Sequence, residues 1–368
     1  MKQPQLTFKS ESRLTNAYLS EVMREVREKY NVPAVAVAVM NATTVYLQEI
    51  QGPRVFDKPA QATLDDYFHL GSCSKSVLAV IAAKLIEENK ITWQTRFFDV
   101  LPELEAEAKQ AYSAITLEDL FLSKAGIKAY TNGETEPFPE YDSSVSDKRL
   151  AFIKYLISQH PSAKKMNGSF QHLYSNPSYL MAAVMLERVS GLKYEEQVKK
   201  ILTDDLHIPV YIGWPNSINP EQPWGHRIAK GKIEVFAPDH SYKLPYLITP
   251  AGDLSMTPRD YAKYTQLHLQ GLRDKNNYIS SDAYRYIHFG HKGFSLGVAN
   301  STLGGKRFSG FDGSAGTFFC RSIIVPESDF AFTIMMNAGS GLGAMKAVDW
   351  LSMRIVKKYY NWWWKFWL

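Results

Sequence analysis

Apolar residues recur along the chain in two rhythms. Val32 to Met40 (VPAVAVAVM) and Thr44 to Ile50 are rich in β-branched residues and joined by a short Asn-Ala turn, which predicts a hairpin after a charged amphipathic opening helix. From Ser72 the spacing changes to three and four residues. SKSVLAVIAAKLIEENK, TLEDLFL, LAFIKYLISQ and SYLMAAVMLERVSG all follow it, so the middle of the chain reads as mostly helical. Past Tyr242 one more helix, TPRDYAKYTQLHLQGL, precedes the strand-like segments GFSLGVAN, KRFSGFDG, TFFCRSIIVP and FAFTIMMN and a last helix from about Gly343.

A two-stranded hairpin is marginal by itself and needs further strands to complete a sheet. The expected fold is therefore α/β (α+β): an antiparallel sheet made from N- and C-terminal strands and flanked by helices, with an inserted all-α region. The expected boundaries place residues 1–70 and 245–368 in the sheet-bearing domain and residues 71–244 in the helical one, with a cleft between them. There are no repeats or low-complexity linkers.

Composition narrows the function classes. With 368 residues, 45% of them apolar and 21% charged, the chain can bury a full core. Its net charge of +5 is spread as isolated Lys and Arg, so no nucleic-acid partner is implied. Cys73 and Cys320 can form at most one bridge, and neither has a second Cys or a His at metal-ligand spacing. The opening MKQPQLTFKSES has no apolar run fit for a signal-peptide core, and no segment reaches the length of a transmembrane helix. Both a cytoplasmic protein and one whose leader is absent from this sequence fit that reading.

Ser-x-x-Lys occurs three times, at Ser72/Lys75, Ser162/Lys165 and Ser190/Lys193. Acylation chemistry needs a hydroxyl held rigidly beside a base. A serine at the start of a buried helix, with a lysine at i+3 on the same face and the helix dipole favouring negative charge, meets that need. Only Ser72 opens a long apolar helix; Ser162 follows His-Pro in a polar stretch, and Ser190 precedes Gly191 at a helix end. The competing reading makes Ser72 a simple N-cap.

Tyr-x-Asn also occurs three times, at Tyr130/Asn132, Tyr174/Asn176 and Tyr359/Asn361. The chemistry asks for a phenol near the lysine and a carboxamide able to hold both that lysine and a substrate amide. Tyr174 and Asn176 fit best, because LYSNPSY runs straight into a helix whose packing fixes it.

FHLGSCSKSVLAVIAAKLIEENKITW, ITLEDLFLSKAGI, YSNPSYLMAAVMLERVSG, TPAGDLSMTPRDYAKY and FDGSAGTF follow one another as in the class C β-lactamase and D-alanyl-D-alanine carboxypeptidase-like serine hydrolases, a penicillin-recognising family that includes esterases. The chain resembles that family from about Val32 to Asn337. The resemblance implies that Ser72 is the acylated nucleophile, that Lys75 and Tyr174 share proton transfer, and that Asn176 orients Lys75 and the substrate. It also implies an oxyanion hole from the backbone N–H groups of Ser72 and Ser314, a small-molecule or peptide-like substrate, and an extracytoplasmic location, with a cytoplasmic one still open. No cofactor is expected, and the histidines show neither His-Glu-x-x-His nor another paired spacing on which a metal site could rest.

The third motif departs from the family. Where a Lys or His begins a Lys/His-x-Gly triplet, this chain has Phe311-Asp312-Gly313, assigned by the resemblance to substrate binding. A cation there favours substrate carboxylates and lowers the pKa of the tyrosine; Phe311 does neither, unless Lys306 or Arg307 compensates. The expectation is poor β-lactam hydrolysis and a preference for esters or uncharged amides. The alternative is a ligand-binding protein or sensor on the same fold that acylates slowly or never.

Other motifs carry less. Gly293-Phe294-Ser295-Leu296-Gly297 matches the nucleophile elbow, but no helix is expected after it, so Ser295 reads as structural. Gly339-Ser340-Gly341-Leu342-Gly343 lacks the second strand and acidic residue of a dinucleotide fingerprint and reads as close packing. His69, beside the nucleophile, reads as packing rather than as a base. The terminal KKYYNWWWKFWL has the composition of a membrane-interface anchor, with Trp362, Trp363, Trp364 and Trp367 as the contact residues, or else of a helix end docked on the sheet.

Overall fold

A computed structural model describes residues 14–131, 136–142, 144, 146–166, 168–339 and 342–360. Its main sheet has seven strands in the order Phe294–Ser295, Val298–Leu303, Lys306–Ser314, Phe319–Val325, Phe330–Met336, Val35–Met40, Val45–Gln51. Every pairing is antiparallel. The N-terminal hairpin completes the sheet through Val35–Met40, which lies beside Phe330–Met336 with Val37 opposite Ile334. This is the mixed α/β architecture expected from the strand-like segments at both ends.

The strand VAVAVM is apolar at every position because both of its faces are covered. Val35, Val37 and Val39 point toward the helices Asn16–Tyr30 and Leu342–Tyr360 and share a core with Leu19, Val22 and Leu351. Ala36, Ala38 and Met40 face the larger core on the other side, beneath the helix Pro258–Leu272. Small residues on that second face let the helix approach closely. The helix Ser74–Glu87, which follows Ser72 and carries Lys75, and the helix Asn176–Ser190 pack against each other within this larger core.

Three pieces of β-structure lay outside the sequence expectation, one of them the short pair Lys165–Met166 with Ser169–Phe170. A hairpin, Gly225–Ala229 with Lys232–Phe236, falls within the stretch expected to be helical. A small sheet of Phe68–His69, Leu254–Met256 and Tyr211–Ile212 lies beside the turn that carries Ser72. Strands of two or three residues carry too little alternation to be seen in a sequence. GFSLGVAN, expected as one strand, turns back on itself at Leu296-Gly297, where Gly297 has φ +87°. No helix follows, and the Ser295 hydroxyl donates to the Tyr286 carbonyl at 3.1 Å, a structural role.

Gly339 packs where a Cβ would lie 1.6 Å from the Gly316 carbonyl oxygen; Ser340 and Gly341 lie outside the described residues. Trp362, Trp363, Trp364 and Trp367 lie outside them as well. Among the described residues no helix is long and apolar enough to cross a membrane.

The end of the sheet nearest the site is tied together by Asn337, which is fully buried. Its Oδ1 accepts from Ala34 N at 2.7 Å, and its Nδ2 donates to the Arg54 carbonyl at 3.0 Å. The Asn337 carbonyl lies 2.7 Å from His226 Nδ1. Removing such a side chain strands buried backbone groups, so Asn337→Ala should lower the unfolding free energy in urea by about 2–3 kcal/mol. A loss below about 0.5 kcal/mol, the usual scatter of a surface change, would contradict this bracing role.

Candidate active site

Ser72 lies in a tight turn, Gly71–Cys73, immediately ahead of the helix Ser74–Glu87. That helix is buried on all sides from Ser74 to Ala83, as expected of a segment without a polar face. Lys75, one turn after Ser72, is therefore carried inside and is only 1% exposed. No side-chain capping bond forms at the start of the turn or of the helix. The Ser72 hydroxyl is not spent on an N-cap, and its Oγ is engaged elsewhere.

Lys75 Nζ lies 3.1 Å from Ser72 Oγ, 2.8 Å from Asn176 Oδ1 and 2.6 Å from the Ala251 carbonyl oxygen. Tyr174 OH donates to Ser72 Oγ at 2.9 Å. The four residues that sequence reasoning grouped thus meet at one point. The other matches do not: Ser190 Oγ bonds the Glu187 carbonyl and Lys193 reaches Glu187, while Tyr359 stacks on Phe330. Ser162 sits in a loop whose backbone N–H binds the Gly126 carbonyl, and Lys165 is exposed.

Local structure fixes the second element. Ser175 caps the helix Asn176–Ser190 by accepting from Ser178 N, and its own hydroxyl donates to the Lys128 carbonyl at 2.9 Å. Asn176 is held through its backbone N–H to the Ala129 carbonyl and through Nδ2 to the Tyr130 carbonyl, so its Oδ1 is left to face Lys75. Tyr130 therefore contributes a backbone oxygen rather than its phenol.

The three partners of Lys75 are all uncharged. Burial dominates, and it lowers the pKa of Lys75 from 10.5 to about 7. The rings of Tyr174 and Tyr179, 4.9 and 5.1 Å from Nζ, favour the ammonium form but do not offset the lost hydration. Burial pushes the Tyr174 phenol up to about 12, with the Ser72 contact opposing it. Proton roles separate accordingly. In its neutral form Lys75 can donate to Ala251 O and Asn176 Oδ1 and offer its lone pair to the Ser72 proton, while the Tyr174 phenol donates to Ser72 Oγ.

The third motif differs from the expectation that Phe311, Asp312 and Gly313 bind substrate. Phe311 is 2% exposed, its ring enclosed by His268 and His288 at 5.4 and 5.5 Å. Side chains alternate along a strand, so Asp312 emerges on the opposite face, where it pairs with Arg321 at 2.6 Å and cannot face Ser72. Gly313 matters through its lack of a side chain. A Cβ there would lie 2.0 Å from the Leu70 carbonyl oxygen and 2.6 Å from Cys73 N, so only glycine lets this strand press on the turn that carries Ser72. Lys306 and Arg307 do not replace the missing cation. They contact Ser328 and Glu327, and Lys306 starts the strand, about 26 Å from Ser314 at the usual strand rise.

The Ser72 and Ser314 backbone N–H groups belong to two abutting segments: Gly71, at φ +52°, brings its α-carbon so close that a Cβ would lie 2.5 Å from Ser314 N. Sequence reasoning missed Ala251, the third partner of Lys75, because a backbone carbonyl leaves no residue signature. It also gave no contact to His69, which lies between Asp253 and Gly71.

A serine hydroxyl between a buried lysine and a tyrosine, at the edge of an antiparallel sheet, is the signature of a serine acyl-transfer centre. The β-lactamase family profile matches residues 19–355, and the chain belongs to that family of serine hydrolases. The teichoic acid D-alanine hydrolase of Staphylococcus aureus is 25% identical over 231 residues, which cover 62% of this chain and 52% of that one; the chain spans about half the length of the curated relatives it matches. A class C β-lactamase structure superposes with TM-score 0.75 at 16% identity over 93% of this chain and 95% of that one. A D-stereospecific amidohydrolase from Streptomyces sp. gives 0.70 at 15% identity over 94% and 99%.

Lys75 must be neutral to accept a proton, so activity should be lost as pH falls through its pKa. kcat/KM for a p-nitrophenyl ester should rise about tenfold per pH unit below 7 and level off above it. Lys75→Arg, which keeps its charge at every accessible pH, should remove this activity. A flat profile between pH 5 and 8 would contradict the assignment.

Proposed function

We propose that this chain hydrolyses an ester or amide through an acyl-enzyme on Ser72. Lys75 takes the Ser72 proton as Oγ attacks the carbonyl carbon, and the oxyanion is held by the N–H groups of Ser72 and Ser314. Tyr174 gives its proton to the leaving group as the tetrahedral intermediate collapses and is reprotonated from Lys75. Water attacking the acyl ester, with its proton taken by the same pair, releases the acid and restores Ser72. The observation that carries this reading is the placement of Ser72 Oγ between Lys75 Nζ at 3.1 Å and Tyr174 OH at 2.9 Å.

The acyl group we assign is a D-aminoacyl group, D-alanyl above all. Support comes from relatives whose names specify D-alanine hydrolysis and D-stereospecific amide hydrolysis. The leaving side is proposed to lack a carboxylate, because Phe311 stands where the family places a cation and its ring is buried away from solvent. β-Lactams, which carry that carboxylate, should be poor substrates. An extracytoplasmic site of action, implied by the family resemblance, is part of the proposal.

A fluorophosphonate probe followed by intact mass should give one adduct on wild type, mapped to Ser72, and none on Ser72→Ala. The wild type should also turn over a D-alanyl p-nitrophenyl ester in preference to a chromogenic cephalosporin. Failure to acylate wild type at any pH leaves a ligand-binding role as the reading, and efficient cephalosporin turnover overturns the substrate assignment.

A further inference from the structure

The peptide plane that carries the Ser72 N–H is fixed from both of its sides. Its carbonyl, Gly71 O, accepts from Ser74 Oγ at 2.8 Å, and Ser74 Oγ in turn accepts from Leu254 N at 3.2 Å. In a trans peptide the N–H points opposite to the carbonyl, so fastening Gly71 O also aims Ser72 N–H. The preceding plane is fastened too, because Gly71 N donates to His69 Nδ1 at 3.1 Å. Gly71 sits at φ +52°, a left-handed conformation that only glycine adopts without cost, and such a turn needs anchoring if it is to stay in one orientation.

His69 is itself held on three sides. Its Nε2 lies 2.9 Å from Asp253 Oδ1, and its ring stacks on Trp214 with centroids 4.6 Å apart. It is fully buried. Because Gly71 N–H is a donor, Nδ1 must accept; the ring proton is therefore on Nε2 and is donated to Asp253. Asp253 belongs to the segment whose Ala251 carbonyl holds Lys75 Nζ and whose Leu254 carbonyl accepts from Leu70 N. One short stretch of chain thus sets both the base and the oxyanion donor.

We propose that Asp253 and His69 are positioning residues that orient the Gly71 turn, and with it the Ser72 N–H that stabilises the oxyanion. This rests on the acyl-enzyme reading of Ser72. They touch no reacting atom and act through Gly71. Transition-state charge is held more strongly than the ground-state carbonyl by such a donor, so losing the anchor should lower kcat and leave KM nearly unchanged.

Two pairs of substitutions separate positioning from packing. Asn reproduces the acceptor of His Nδ1, whereas Gln reproduces the donor at Nε2 and leaves Gly71 N–H without a partner. With a p-nitrophenyl ester as the probe, His69→Gln should lose about 10–100-fold in kcat, a fraction of the loss seen on deleting an oxyanion donor, and His69→Asn, which keeps the acceptor for Gly71 N–H but not the Asp253 contact, should retain at least about threefold more kcat than His69→Gln. Asp253→Asn keeps an acceptor for Nε2 and should stay close to wild type, while Asp253→Ala should fall in the same direction as His69→Gln. Thermal melts identify variants that fail to fold, and if His69→Gln is one of them the Asp253 pair decides. Equal kcat within the folded pair overturns the proposal. A wild type that never acquires an adduct on Ser72 fails the acyl-enzyme reading instead, so the two failures are distinct.

Discussion

The amine of Lys75 is buried among three uncharged oxygens, and the rest of the site follows from that single placement. An ammonium group taken out of water without a carboxylate partner loses hydration that neutral dipoles only partly replace. Burial lowers its pKa to about 7, so its neutral form, with a lone pair able to accept a proton, is reached near neutral pH. A carboxylate in contact with Nζ would hold it charged, and the same geometry would then have no lone pair to offer Ser72.

Keeping such an amine buried demands support from distant parts of the chain. Ser72 and Lys75 come from one helix start, Asn176 from the start of another, and Ala251 from a segment that runs on into the small sheet beside the Ser72 turn. Gly313 and Gly71 let the long central strand press against that turn where any side chain would collide. The sheet is complete only when the N-terminal hairpin joins the C-terminal strands, so the site depends on pairing between residues roughly 300 positions apart. Rigidity is purchased over long range, in keeping with the need to hold reacting atoms within a fraction of an ångström.

Much of this was legible in the residues themselves. The β-branched residues of Val32 to Met40 and the strand-like C-terminal segments indicated a shared sheet, and the apolar run after Ser72 indicated a buried helix that would carry Lys75 inward. Tyr174 and Asn176 were distinguishable from their two competitors because their segment runs straight into an apolar helix whose packing fixes it. What stayed hidden has physical reasons. Ala251 and Tyr130 act through carbonyl oxygens, which every residue has. Asp312 was misassigned because a motif read as a string ignores that successive strand residues face opposite ways. The Gly225–Phe236 hairpin lay in a stretch whose polar, short strands give no clear period.

The ionisation of Lys75 itself is the most direct test, because the proposed chemistry begins from its neutral form. Protein labelled with 13C at lysine Cε, compared with Lys75→Met to identify the resonance, can be titrated by NMR from pH 5 to 11. One lysine signal, absent from the Lys75→Met variant, should titrate with a midpoint near 7. If the Lys75 signal moves with the others near the ordinary value of 10.5, the amine is charged at neutral pH and the account of this site is wrong.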